Sequence, residues 1–215
     1  MSTYGTMQDR IATELKRSNL TARIQEAIQS AIKHYETNRF WFNEKTTTLV
    51  TTPSNEDMSL SSDFVELDSI KFVTSTYGHT LYPRTFQYIE EVNTSVGSYE
   101  GIPEDYAIYG DAIKLYPVPD ATYTISVSYL YRLSSLSATA DTNAWMTTGE
   151  ELIRKRAKAD IRLNLLEDER TRTELMMMSQ LGKDFLTKEE EIAYNNLVSS
   201  SVRRASSGKI RPTQF

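Results

Sequence analysis

The side chains best suited to acid–base, nucleophilic or metal chemistry are few and scattered. There are two histidines, His34 and His79. The first falls beside the apolar stripe of a helix and the second in a turn. Neither has a partner at metal-ligand spacing, so both are assigned structural roles. The chain contains no cysteine, which excludes disulfides, iron–sulfur clusters and thiolate zinc sites. Its eight glycines form neither G-x-G-x-x-G nor a phosphate loop, and no G-x-S-x-G elbow occurs. Adjacent carboxylates are present at Glu90-Glu91, Glu104-Asp105, Glu150-Glu151 and Glu189-Glu190-Glu191. A glycosidase would need two such groups about 5–9 Å apart across a cleft. Here they sit where helix starts, helix faces and loops place solvated charge, and nothing selects a pair. The residues predict a protein that is not an enzyme, with no catalytic residues, no cofactor and no metal.

The elements around these residues are more informative. In the stretch Tyr106 to Leu133, Tyr123, Ile125, Val127, Tyr129, Tyr131 and Leu133 recur at every second position with mostly polar residues between. That period predicts a strand with one buried face. Upstream, Gly110-Asp111 separates two short β-prone runs and suits a type II′ hairpin turn. Pro117-Val118-Pro119-Asp120 supplies a second turn, because proline has no amide proton for a ladder. The stretch is therefore expected to be a three-strand meander.

On either side the pattern is helical. Tyr4, Met7, Ile11 and Leu15 share one face of a short helix over residues 3–17. A stronger helix is expected from Thr21 to Asn43, with Ile24, Ala27, Ile28, Ala31, Ile32 and Tyr35 as its stripe. Phe40, Trp41 and Phe42 at its end, together with Trp145, read either as a plug where helices meet the sheet or as a subunit interface. Lys45–Thr52 is β-prone, and Val65–Phe72 changes phase at Ser69 as a β-bulge would. Gly78-His79 reads as a turn, Pro83 opens a short helix through Val92, and Asn93–Gly101 is a loop. Residues 134–143 form a polar linker. Thr147 and Thr148 offer overlapping capping boxes with Glu150 and Glu151. Helices then run to about Leu166, from Asp168 and, after a capping box at Thr187–Glu190, to Arg203-Arg204. Met176-Met177-Met178 reads as core filling rather than an adaptable interface. The fold class predicted is α+β. Residues 1–43 and 144–205 make a helical bundle, 44–143 an inserted, mostly antiparallel β-sheet domain with one short helix, and 206–215 an extended C-terminal tail.

The net charge of −5 is unevenly spread. Residues 44–143 hold fourteen Asp/Glu against five Lys/Arg, so the sheet region will not grip nucleic acid, which needs a cationic footprint. No window approaches the ~20 apolar residues of a membrane span, and the early charges do not resemble a secretory signal.

In this order the elements resemble the head-to-tail adaptor (connector, or head-completion) proteins of tailed bacteriophages. The likeness rests on four stretches. They are the helix pair ending His34-Tyr35-Glu36 through Asn43; Ser59-Leu60 with Asp63-Phe64-Val65-Glu66-Leu67; Gly101-Ile102-Pro103 through Tyr106, Ile113–Asp120 and the Tyr123–Leu133 strand; and Asn143-Ala144-Trp145 with Glu150–Ile153 and Arg156–Asp160. Ser61 stands where a proline is expected.

The resemblance implies a structural virion protein at the head–tail neck, made in the host bacterial cytoplasm. Such adaptors form a homo-oligomeric ring below the portal, usually of about twelve copies. They contact the portal protein and a tail or nozzle protein, and genomic DNA passes through without specific binding. Their C-terminal extension commonly reaches a neighbour or the portal, which here would use Arg203, Arg204, Lys209, Ile210, Arg211 and Phe215. Acidic side chains lining the channel would let DNA slide past. The alternative reading is a tail-associated carbohydrate- or receptor-binding accessory protein, suggested by the tyrosine-rich meander.

Overall fold

In the computed structural model, residues 2–73, 78–95 and 99–205 are described, with backbone alone at Ser95 and residues 201–205. The chain opens with α1 (Tyr4–Leu15) and α2 (Thr21–Tyr35). It then runs through β1 (Glu44–Val50), β2 (Asp57–Ser59), β3 (Phe64–Val73), β4 (Gly78–Thr80) and β5 (Tyr82–Pro83). After α3 (Phe86–Ser95) come β6 (Glu100–Gly101), β7 (Asp105–Tyr109), β8 (Ala112–Tyr116), β9 (Val118–Pro119) and β10 (Thr124–Tyr131). The described residues end with four helices: α4 (Ala144–Thr147), α5 (Glu150–Asn164), α6 (Glu169–Gln180) and α7 (Lys188–Ala205). Their contacts separate into two units, one made of Met1–Phe42 with the chain from Leu133 onward, the other of Asn43–Arg132. The protein is α+β, helical at both ends of the chain with mainly antiparallel sheet between.

In the helical unit, Thr3 and Thr6 form a reciprocal capping box that starts α1, and Lys16 in the left-handed region ends it. Tyr4, Met7 and Ile11 are buried against Ile24, Ala27, Ile28, Ala31 and Tyr35 of α2, with Leu152, Ile153, Ala157 and Ile161 of α5 in the same core. Helix α2 stops at Tyr35, short of the expected Asn43. The reason lies in Phe40 and Phe42. Two positions apart on a helix they would point to different sides, whereas the turn at Trp41-Phe42 stacks the two rings on each other. Both are buried, while Trp41 between them is half-exposed. Residues 133–143, expected in the β domain, pack with the helices instead. Leu136 is buried, its carbonyl accepts from Gln29 at 2.8 Å, and the Tyr4 and Gly5 amides donate to Asp141 and Thr139.

The described residues of the β unit form two four-stranded sheets, ordered β1-β10-β3-β4 and β2-β8-β7-β5, and a two-stranded pair β6-β9. Pairing is antiparallel except for β5 with β7 and β6 with β9. Ile125, Val127 and Tyr129 of β10 bury the predicted face, together with Ile70 and Phe72 of β3 and Ile113 and Leu115 of β8. Phase changes on β3 as expected, although the extra residues are Asp68 and Val65. Ser69 faces Ser128 while Leu67 faces Tyr129, and Glu66 faces Leu130 while Phe64 faces Tyr131. Gly110 has φ +62 and Asp111 does not share it, as a type II′ turn requires.

Three expectations in this unit are corrected. The three-strand meander does not form. β7 and β8 make the hairpin, but after Pro117 the chain leaves that sheet and β10 lies between β1 and β3. Two prolines at 117 and 119 end β8 and cannot donate to a continuing ladder. Gly78-His79 is strand β4, not a turn, and pairs with β3 through Phe72↔His79. Pro83 belongs to β5, so α3 opens later, where the Thr85 hydroxyl accepts from the Tyr88 amide at 3.3 Å. It then runs through Ser95 where a loop was expected.

Candidate functional site

Aromatic side chains converge in the helical unit. Phe40 stacks on Phe42 at 5.3 Å, and the Trp145 ring meets both edge-on at 5.5 and 5.0 Å. Tyr194 of α7 reaches Phe40 and Tyr35, each at 6.0 Å. Trp145 is set by Asn143, whose side chain accepts from the Trp145 amide at 2.9 Å and donates to the Ser134 carbonyl. Gly149 is the second device, since a Cβ there would lie 2.9 Å from the indole ring. That position is also the α5 N-cap, so the capping boxes expected from Thr147 and Thr148 are not used. Phe40, Phe42 and Trp145 are thus core of this unit, and Trp41 alone of the four retains area to offer.

Beneath these rings lies a group that the sequence pattern assigned to the surface. Glu190 is fully buried. Its carboxylate accepts from the Tyr35 hydroxyl at 2.5 Å, Arg156 Nη1 at 2.7 Å and the Leu186 amide at 2.7 Å. Three elements, α2, α5 and α7, are tied at one point. Burial, reinforced by the Glu190 charge, pushes the Tyr35 phenol well above its ordinary range, so it stays a donor. Thr187 still accepts from the Glu190 amide at 3.3 Å, which restarts the helix, but its Glu turns inward instead of closing a capping box.

The rest of the 154–158 run is matched to acids in the same way. Glu14 of α1 is bound by Lys158 at 2.8 Å and by Arg154. Glu189 takes Lys155 at 2.7 Å and Lys158 at 3.6 Å. Burial alone would raise the Glu14 carboxyl, but Lys158 and Arg154 outweigh it and hold it below the usual range. Lys155 does the same for Glu189. His34 lies 3.5 Å from Asp184 and edge-on to the Tyr35 ring, its basicity lowered first by burial and then by Arg156. A basic run in one helix followed by an acidic triplet in another was the available signal for this seam, although only the fold shows which pairs meet. Of Met176, Met177 and Met178, only the last is buried, so core filling describes one of the three.

In the β unit Lys114 sits among Glu56 at 2.6 Å, Glu90 at 2.9 Å and Asp57 at 3.3 Å. Partial burial works against its charge, yet the three carboxylates prevail and raise its basicity. Asp105 is buried and paired with Arg84 at 3.1 Å, so this second acidic doublet is also partly structural. His79 stacks on Phe72 and contacts the Pro103 carbonyl at 3.0 Å. Tyr129 is buried, and Tyr109 is covered on one face by Phe86 at 4.0 Å. Among the described residues no group of three or more His, Asp or Glu is placed to hold a metal ion.

Of the predicted docking residues, Arg203 and Arg204 fall within α7 by backbone. Lys209, Ile210, Arg211 and Phe215 lie outside the described residues. No helix among the described residues is long and apolar enough to cross a membrane. No curated protein matches the chain. Residues 2–172 match the family model described as SU10 adaptor protein, a span that takes in the whole β unit, α1, α2, α4 and α5, and ends early in α6. The chain therefore belongs to the SU10 adaptor protein family and has the structural role of a bacteriophage head-to-tail adaptor.

Proposed function

We propose that the protein forms a ring below the portal, joins the phage head to the tail and extends the DNA channel. The observation that carries this reading is the family match through both units, 171 of 215 residues from 2 to 172. The ring holds about twelve copies. Its partners are neighbouring copies, the portal protein and a tail or nozzle protein, and its place is the neck of the virion. The role is structural rather than catalytic.

Within that assembly the division of labour follows the units. The helical unit carries the C-terminal tail, and Arg203, Arg204, Lys209, Ile210, Arg211 and Phe215 dock it on the portal or on a neighbour. Basic side chains meet acidic surface while Ile210 and Phe215 fill apolar pockets. Trp41, half-exposed beside a rigid aromatic core, suits a subunit contact. The β unit holds thirteen Asp/Glu against five Lys/Arg over residues 43–132. Nine of those carboxylates are exposed: Glu44, Asp57, Glu66, Asp68, Glu91, Glu100, Glu104, Asp111 and Asp120. Lining the channel, such carboxylates, Glu100 and Glu104 apart, would repel the phosphate backbone and keep DNA moving. The carbohydrate-binding alternative gains little from tyrosines that are buried or already stacked on one face.

Native mass measurement of the chain, alone and mixed with the portal ring of the same phage, tests the proposal. About a dozen copies added per portal is the expected result. Removing residues 206–215 should abolish or strongly weaken that addition. A chain that stays monomeric and ignores the portal would overturn it, and glycan binding by the isolated chain would revive the alternative.

A further inference from the structure

A cleft of about 260 Å³ opens on the helical unit between α5, α6 and the start of α7. Its charged lining is Lys155, Lys158, Arg162, Arg170, Glu174 and Glu189, four cations against two carboxylates. Three of the cations are engaged: Lys155 and Lys158 by Glu189, Lys158 also by Glu14, and Arg170 with Glu174 at 3.8 Å. Arg162 is different. It is half-buried, and among the described residues no carboxylate pairs with its guanidinium. A partly desolvated, uncompensated guanidinium in a net-positive cleft will bind an incoming carboxylate more strongly than an open surface would, and its planar fork suits that group. Leu165 and Leu166, which follow the end of the same helix, are 43% and 37% exposed.

The β unit carries the complement. Glu100 and Glu104 are exposed, and among the described residues neither side chain has a partner. Tyr99 and Ile102 flank Glu100 closely in sequence and Tyr82 is joined to Glu104 through the backbone, and the three are exposed by 59%, 36% and 64%. The Tyr82 amide donates to the Glu104 carbonyl at 2.8 Å, which fixes that tyrosine beside the acid. Exposed aromatic and aliphatic side chains grouped around unpaired charge are what interfaces use.

We propose that the α5–α6–α7 cleft of one copy receives Glu100 and Glu104 from the β unit of a second copy. This rests on the ring reading above. Two different patches then meet, a heterologous contact, and such contacts repeat around a closed ring. DNA fits the cleft less well. A duplex backbone needs a continuous track of cations, whereas this enclosure is small and Glu174 and Glu189 stand within it.

The test uses the full chain in three forms: wild type, Arg162→Glu, and Glu100→Arg/Glu104→Arg. Arg162→Gln serves as a milder variant, and circular dichroism checks the fold of each. Association is read by native mass and sedimentation, alone and on the portal ring. Each variant should associate about tenfold or more weakly than wild type, and on the portal its copies should add independently rather than cooperatively. Mixing Arg162→Glu with the double variant should restore assembly, because each reversed patch then meets its opposite. Folded Arg162→Glu and Arg162→Gln chains that assemble like wild type would overturn the inference while leaving the ring reading intact. Wild type that neither self-associates nor adds to the portal would overturn both. An unchanged mass with weakened retention of duplex DNA would assign the cleft to DNA and also overturn the inference.

Discussion

The Tyr35 hydroxyl donates a 2.5 Å hydrogen bond to the Glu190 carboxylate across 155 residues of sequence, at a point fully closed to solvent. Arg156 completes the site, so α7 is joined to α2 and α5 by one charged group. Removing that group leaves a guanidinium with 15% of its side chain exposed and no counter-charge there. Glu190→Ala should therefore cost about 3–5 kcal/mol, and Tyr35→Phe a smaller 1.5–3 kcal/mol, roughly that of a hydrogen bond to a charged group. Both tryptophans, Trp41 and Trp145, belong to the helical unit. Urea unfolding followed by tryptophan fluorescence thus reads this unit directly. A Glu190→Ala midpoint matching wild type would refute the assignment.

The same seam gives a pH dependence. Glu14 has a depressed carboxyl pKa in the fold, because Lys158 and Arg154 outweigh the effect of its burial. A depressed folded pKa means that its stabilisation is present above the unfolded value of about 4.3 and is lost as pH falls through the lower folded one. Glu189, lowered by Lys155, acts in the same direction. Wild type should lose tryptophan-reported stability below about pH 4.3, and Glu14→Gln should be less stable at neutral pH but lose less on acidification. Parallel acid profiles for wild type and Glu14→Gln would show that Glu14 contributes nothing.

How much of this was legible depends on whether the signal was local. Period two along β10 identified its buried face, Asp168 marked the start of α6, and Gly110 marked the hairpin, because each depends on residues within a few positions. The switch between sheets after Tyr116 was not legible. Pro117 and Pro119 say where a ladder must stop but not where the chain goes next. The end of α2 was missed because Phe40 and Phe42 are apolar in helix and turn alike, and only the fold shows that both rings meet Trp145. Glu190 was missed for the same reason at longer range. A glutamate in an acidic triplet looks solvated until Arg156 and Tyr35 are folded against it. The Arg162 cleft was invisible because the unmatched member of a basic helix can be found only after its neighbours have been paired.

Lys114 makes a prediction for the β unit. It stands among Glu56, Asp57 and Glu90 with 15% of its side chain exposed, and those acids raise its basicity. Lys114→Met would leave three carboxylates close together without their cation. The expected loss is about 1–3 kcal/mol at neutral pH. It should shrink as pH falls and the acids protonate. Hydrogen exchange of the β8 amides is the readout, since this unit has no tryptophan. Exchange as slow as wild type at pH 7 would show that the acids reach water without the lysine.

Gly149 offers the sharpest steric test. Its φ of −90 is ordinary for any residue, so a substitution there meets no backbone penalty. A Cβ at this position would instead lie 2.9 Å from the Trp145 ring, and that ring packs edge-on against the stacked Phe40 and Phe42. The indole cannot simply swing aside, because it is 2% exposed and packed edge-on against both phenyl rings. Gly149→Ala should therefore cost about 1–3 kcal/mol through overpacking, with the weaker N-cap preference of alanine acting in the same direction, and should alter near-ultraviolet circular dichroism of the tryptophans. Pairing it with Trp145→Phe, which removes part of the obstructing ring, should recover some of the loss relative to the sum of the single changes. A stabilised Gly149→Ala chain would mean that the glycine is not there for the indole.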